Sequence, residues 1–140
     1  MIKMDKLIRF GVSMEEKLLE NFDRLIKSEG YKNRSEAIRD IIRKEFVEEE
    51  WEEGVIVAGA VLLVYDHHKR ELVAKIMDTQ HNYHNNIIST QHIHMDHHNC
   101  LEIVVVKGKT EEIKRLYGLL KSLKGVKYST LARASTGKKI

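Results

Sequence analysis

From Ile8 to Met14 the chain alternates, with Ile8, Phe10, Val12 and Met14 on one face and Arg9, Gly11 and Ser13 on the other. A period of two over this length predicts a half-buried strand. The period then lengthens. Ser13-Met14-Glu15-Glu16 has the form of a capping box. Leu18, Leu19, Phe22, Leu25 and Ile26 follow at helical spacing, with Gly30 as the left-handed stop. A second helix begins after Asn33 or Ser35, with Ala37, Ile38, Ile41, Ile42 and Phe46 on one face. One strand and two short helices cannot close a core alone, and a lone strand leaves its backbone groups unpaired. The economical solution is a dimer whose two strands pair antiparallel.

A second pattern starts after the acidic run Glu48 to Glu53 and Gly54, which reads as a helix end or hinge. The apolar run Val55–Tyr65 predicts a buried strand. Beyond it the pattern gives a helix over about 67–80, strands over 87–95 and 100–107, a helix over 110–123 and a strand over 126–134. Asp96-His97-His98-Asn99 supplies a hairpin turn, and Thr110-Glu111-Glu112 supplies a cap and first-turn acids. The order β-α-β-β-α-β is the split βαβ, ferredoxin-like arrangement. The expected fold class is therefore α+β. It combines a dimeric βαα ribbon-helix-helix segment over 1–50, a hinge over 51–54 and a ferredoxin-like (ACT-like) domain over 55–140.

Charge adds only a little. The net charge of +3 is too small to establish nucleic-acid binding, and its basic C-terminal part is read as a solvated surface. The run Val55–Tyr65 is too short to span a bilayer. The chain is charged from Lys3 and Asp5 onward, unlike a signal peptide, so a cytoplasmic protein with no membrane partner is expected. A single cysteine, Cys100, excludes an internal disulfide and fits a reducing compartment.

Two clusters carry chemistry. An antiparallel ribbon can enter the major groove of double-stranded DNA, and Arg9, Gly11 and Ser13 are its outward set. Free N–H groups at the start of the second helix, near Arg34 and Ser35, suit a phosphate. The bland alternative is a dimerisation arm with no DNA role. The second cluster is the histidines, all eight of which lie between residues 67 and 98. His92 and His94 are two apart on one strand and share a face. Cys100 follows across the hairpin, and His81 stands near the end of the preceding helix, from its own or a partner subunit. Three imidazoles and a thiolate suit Ni(II), Cu(II) or Zn(II) and not Mg or Ca. Gln80 and Glu102 are candidates to orient the imidazoles. His67, His68, His97 and His98 are read as turn and helix-end residues, with weak metal contacts as the alternative.

At these residues the sequence resembles the nickel-responsive ribbon-helix-helix repressors (NikR) over nearly its whole length. The resemblance rests on Gly30-Tyr31-Lys32-Asn33-Arg34-Ser35-Glu36-Ala37-Ile38-Arg39-Asp40, on Thr79-Gln80-His81, and on His92-Ile93-His94 followed by Cys100-Leu101-Glu102-Ile103. It implies a homotetramer built as a dimer of dimers. It also implies one square-planar Ni(II) per subunit, held by His92, His94 and Cys100 of one subunit and His81 of a neighbour. Nickel-bound protein would bind a palindromic operator and repress nickel-uptake genes. The resemblance further implies a cation, K+, between the domains in the DNA complex, with Glu36 and Asp40 as the matching carboxylates. Where the family presents Arg, Thr and Thr to the bases, this chain has Arg9, Gly11 and Ser13, so its operator preference is expected to differ. Metal-free, the polar stretch 81–86 is expected to be poorly ordered, with only His81 to anchor it.

Three rivals remain at the level of sequence. A small-effector sensor would leave the four-ligand arrangement unexplained. A metal hydrolase needs an open coordination position and a placed general base. A metal store would make the DNA-binding arm superfluous.

Overall fold

The fold is that of a computed structural model, which describes residues 5–140. Residues 1–4, including the Lys3 used above, lie outside the described residues. The chain divides into two compact units, Met1–Ile42 and Arg43–Ile140.

In the first unit, α1 (Glu16–Glu29) ends at Gly30, whose φ of 78° allows its N–H and that of Tyr31 to reach the carbonyls of Lys27 and Ile26. Asn33 then caps α2 (Arg34–Glu53), its side-chain oxygen accepting the Glu36 N–H at 2.9 Å. One expectation is corrected here. Ser13 does not cap α1, which starts after Glu15 with no side-chain cap. Residues 5–15 also form no strand in the single chain, and Ile8, Phe10 and Val12 stay 60–81% exposed. A ladder needs a second strand, and this segment has none within its own chain.

Only Ile26 and Ala37 are buried among the described residues of this unit, while Leu18, Leu25, Ile41 and Ile42 are about half exposed. That burial is far too small to offset the backbone entropy of ordering some 40 residues, about 1–2 kcal/mol each. The apolar faces of α1 and α2 therefore require a partner of their own.

The second unit contains the last turns of α2, then β1 (Ile56–Asp66), α3 (Arg70–Asn82), β2 (Ile87–His94), β3 (Asn99–Lys109), α4 (Thr110–Lys121) and β4 (Val126–Arg133). The sheet order is β2-β3-β1-β4, and each neighbouring pair is antiparallel. This is the ferredoxin-like arrangement that the pattern predicts. Val57, Val61, Leu63 and Tyr65 of β1 and Cys100, Val104 and Val106 of β3 pack with Leu72, Ile76, Ile113, Leu116 and Leu120 of the two helices. The opposite sheet face is also apolar, with Ala60, Leu62, Val64, Leu101, Ile103 and Val105 half-buried. That is why Val55–Tyr65 lacks polar alternation.

Residues 51–53, expected to form a hinge, complete the last turn of α2, with Gly54 following at a φ of 73°. Trp51 is buried in the core and donates its indole N–H to the Ala134 carbonyl at 2.9 Å. Thr110 does not cap α4. Lys109 stands at that position, and the buried Thr110 hydroxyl donates to the Val55 carbonyl instead.

Candidate metal centre and DNA-binding arm

The hairpin joining β2 to β3 sets the register of the candidate ligands. His94 lies directly opposite Cys100, and His92 directly opposite Glu102. Cross-strand partners share a sheet face, so all four side chains belong to the face that carries the helices. The turn between them is built by Asp96, whose Oδ1 accepts the His98 and Asn99 N–H groups at 2.9 and 2.8 Å. These bonds, with that from the Asn99 amide, lower the Asp96 pKa to about 2.

Glu102 is almost wholly buried, which would be costly for an unpartnered carboxylate. It has two partners. His92 Nε2 lies 2.5 Å from one oxygen, and the Tyr65 hydroxyl donates to the other at 3.3 Å. The Tyr65 oxygen also stands 3.5 Å from His92 Nδ1. Burial, then the Glu102 charge, raises the Tyr65 pKa, so it remains a neutral donor. Burial likewise raises the Cys100 thiol above its ordinary value, and a hydrogen bond with Tyr65 offsets part of that effect.

The structure does not gather the expected ligands into one finished cluster. Among the described residues, one group of three His, Cys, Asp or Glu side chains brings its ligand atoms within 4.8 Å of each other, and it is Asp66, His68 and His98. His81 sits in the last turn of α3, exposed, with its ring 6.0 Å from that of His84. Gln80 lines the same surface concavity, and its buried amide nitrogen has no hydrogen-bond partner. The stretch after His81 is better anchored than its polarity suggests. The N–H groups of Tyr83, His84 and Asn86 bond back along the turn, and the Asn86 amide reaches Glu112 at 2.8 Å. His81 is therefore not its only anchor.

His67 was read as a turn residue, yet its ring stacks on His94 at 4.6 Å and 9°. No spacing in the sequence reveals this contact. It follows from the β1–β3 register, which sets Asp66 opposite Asn99 and brings the residues after β1 to the β2–β3 turn.

In the arm, Arg9, Gly11 and Ser13 are all exposed. The Arg34 guanidinium makes two 2.9 Å bonds to Asp23. Glu36 accepts the Lys32 N–H at 3.2 Å, and Asp40 accepts from the Tyr31 hydroxyl. No described helix is long and apolar enough to cross a membrane.

Comparison with known proteins agrees with both halves. Residues 58–134 match the NikR C terminal nickel binding domain, and residues 8–49 match the ribbon-helix-helix protein, copG family. Relatives from Chlorobaculum tepidum and Syntrophus aciditrophicus, each bearing the name "Putative nickel-responsive regulator", are 54% and 53% identical. The matches cover 94% and 96% of this chain and 98% of each relative. A relative of the same name from Thermococcus kodakarensis is 52% identical, over 96% of this chain and 99% of its own. A solved structure of an uncharacterized protein from Thermotoga maritima superposes with a TM-score of 0.52 at 15% identity, over 57% of this chain and 99% of that one, a likeness of fold alone. With a nickel-binding domain, a ribbon-helix-helix DNA-binding segment and relatives matched along nearly its whole length, the chain belongs to the NikR family of nickel-responsive regulators.

Proposed function

We propose that this regulator binds one Ni(II) per subunit through His92, His94 and Cys100 of one subunit and His81 of a neighbour, and that the loaded homotetramer binds a palindromic operator and represses nickel-uptake genes in the cytoplasm. The direct opposition of His94 and Cys100, with His92 beside the buried Glu102, is the observation that carries this reading. The donor set fits a borderline ion, and the thiolate would favour nickel, copper or zinc over hard cations. Glu102 accepts from His92 Nε2–H, which fixes the tautomer and leaves Nδ1 as the donor nitrogen. The raised thiol pKa means that binding displaces a proton from Cys100.

Two features support an assembly larger than one chain. The first unit buries almost nothing by itself, and the sheet face opposite the helices is apolar. A pair of N-terminal segments would join their strands into a ribbon, presenting Arg9, Gly11 and Ser13 twice with two-fold symmetry. Residues 1–50 then form the DNA-binding domain and 55–140 the metal-binding and tetramerisation domain. Glu36 and Asp40 would hold K+ in the DNA complex. Nickel acts on DNA affinity only through its differential affinity for the DNA-competent arrangement.

Selection of genomic fragments with nickel or with chelator tests the reading. Nickel-dependent recovery of a palindrome, lost on Arg9→Ala, is expected. Equal recovery under chelation would contradict it.

A further inference from the structure

We propose that Glu50, Trp51 and Ser135 are positioning residues for DNA binding, clamping the end of α2 so that both DNA-binding ribbons of one assembly can engage one operator. The inference rests on the function proposed above. α2 is one unbroken helix over Arg34–Glu53, and its residues from Arg43 onward belong to the second unit. Whatever fixes those last turns decides how stiffly the helix is carried. The end of β4 and the residues after it do so. The buried Trp51 donates its indole N–H to the Ala134 carbonyl at 2.9 Å. The buried Glu50 carboxylate accepts the Ser135 hydroxyl at 3.0 Å. Arg133 stands 5.6 Å from the Trp51 ring and bonds Glu48 at 3.2 Å, an exposed pair that adds little. The strap is itself tied down, since the Ala134 N–H donates to the Ala58 carbonyl and the Gly137 N–H to Ser135 Oγ.

Glu50 separates a positioning role from simple packing. A buried carboxylate is costly, and an apolar side chain of similar size would stabilise the unit at least as well. A directed hydrogen bond adds a single geometry. Two neighbouring residues of α2 bond to two neighbouring residues of the strap, so the helix end cannot slide or turn without breaking both bonds. That stiffness matters to a protein with two ribbons. Once one ribbon is on its half-site, the other binds at an effective concentration set by how closely the joint holds it in place.

Ser135→Ala and Glu50→Ala each remove one directed bond and leave Trp51 in place. The full-length variants, loaded with nickel, are titrated against the palindrome recovered by fragment selection and against one half of it. Binding to the whole palindrome should weaken by about tenfold, as the second ribbon loses effective concentration. Binding to the half-site and nickel affinity should stay at the parent values. Glu50→Gln, which still accepts from Ser135, should behave like the parent. Unchanged binding to the whole palindrome in both alanine variants, or an equal loss on the half-site, would overturn the assignment. Failure of the proposed function is read separately, from a parent chain that shows no nickel-dependent binding to the palindrome.

Discussion

Among single residues, Glu102 does the most for the proposed centre. A buried carboxylate that holds His92 by one oxygen and the Tyr65 hydroxyl by the other fixes the ring's tautomer and its tilt. Glu102→Gln keeps the shape and removes the charge-assisted acceptor. Nickel affinity should fall by about 10–100-fold, the usual effect of losing a residue that orients a ligand, and a competition titration against a chelator would show it. Gly59 makes a different kind of contribution. A Cβ there would come within 2.6 Å of the Ala132 carbonyl oxygen and 3.4 Å of the Trp51 ring. Gly59→Ala should cost about 1–3 kcal/mol by overpacking, read as a lower urea midpoint. The parity of His92 and His94 and the hairpin before Cys100 were legible in the sequence because they are local. The stacking of His67 on His94 was not, since it depends on a register between strands more than 30 residues apart.

At the scale of elements, the period of the apolar positions predicted all six elements of the second unit in order, within a few residues of their bounds. The caps were less legible. Ser13 and Thr110 have suitable hydroxyls, but a tertiary contact decides their use, as when Thr110 turns to the Val55 carbonyl. The acidic run, read as a helix end or hinge, is the end of α2. An acidic run with one tryptophan looks solvated locally, whereas the buried Trp51 joins the core and anchors α2 to the Ala134 carbonyl. The β2–β3 turn provides a pH test. The folded pKa of Asp96 lies at about 2, below its ordinary 3.8. Its stabilising contribution is therefore complete above the ordinary value and is lost as the pH falls through about 2. Thermal melts between pH 5 and about 2 should show a loss in the parent chain that is smaller in Asp96→Asn.

At the scale of the whole molecule, the account depends on ligands supplied by two subunits. The His81→Ala and Cys100→Ala proteins should each bind nickel poorly. Unfolded together and refolded, they should regain a fraction of intact sites, because some interfaces then combine a normal His81 with a normal His92, His94 and Cys100. Recovery of high-affinity binding in the mixture, absent from either variant alone, is the expected outcome. No recovery would place all four ligands within one chain.

The central claim is that Cys100 is a nickel ligand, and a nickel titration of the metal-free protein by absorption spectroscopy tests it most directly, with Cys100→Ala alongside. The account predicts saturation at one equivalent per subunit, with a thiolate-to-nickel charge-transfer band that the variant lacks. Tight nickel binding with no such band, or the same band in Cys100→Ala, would contradict it.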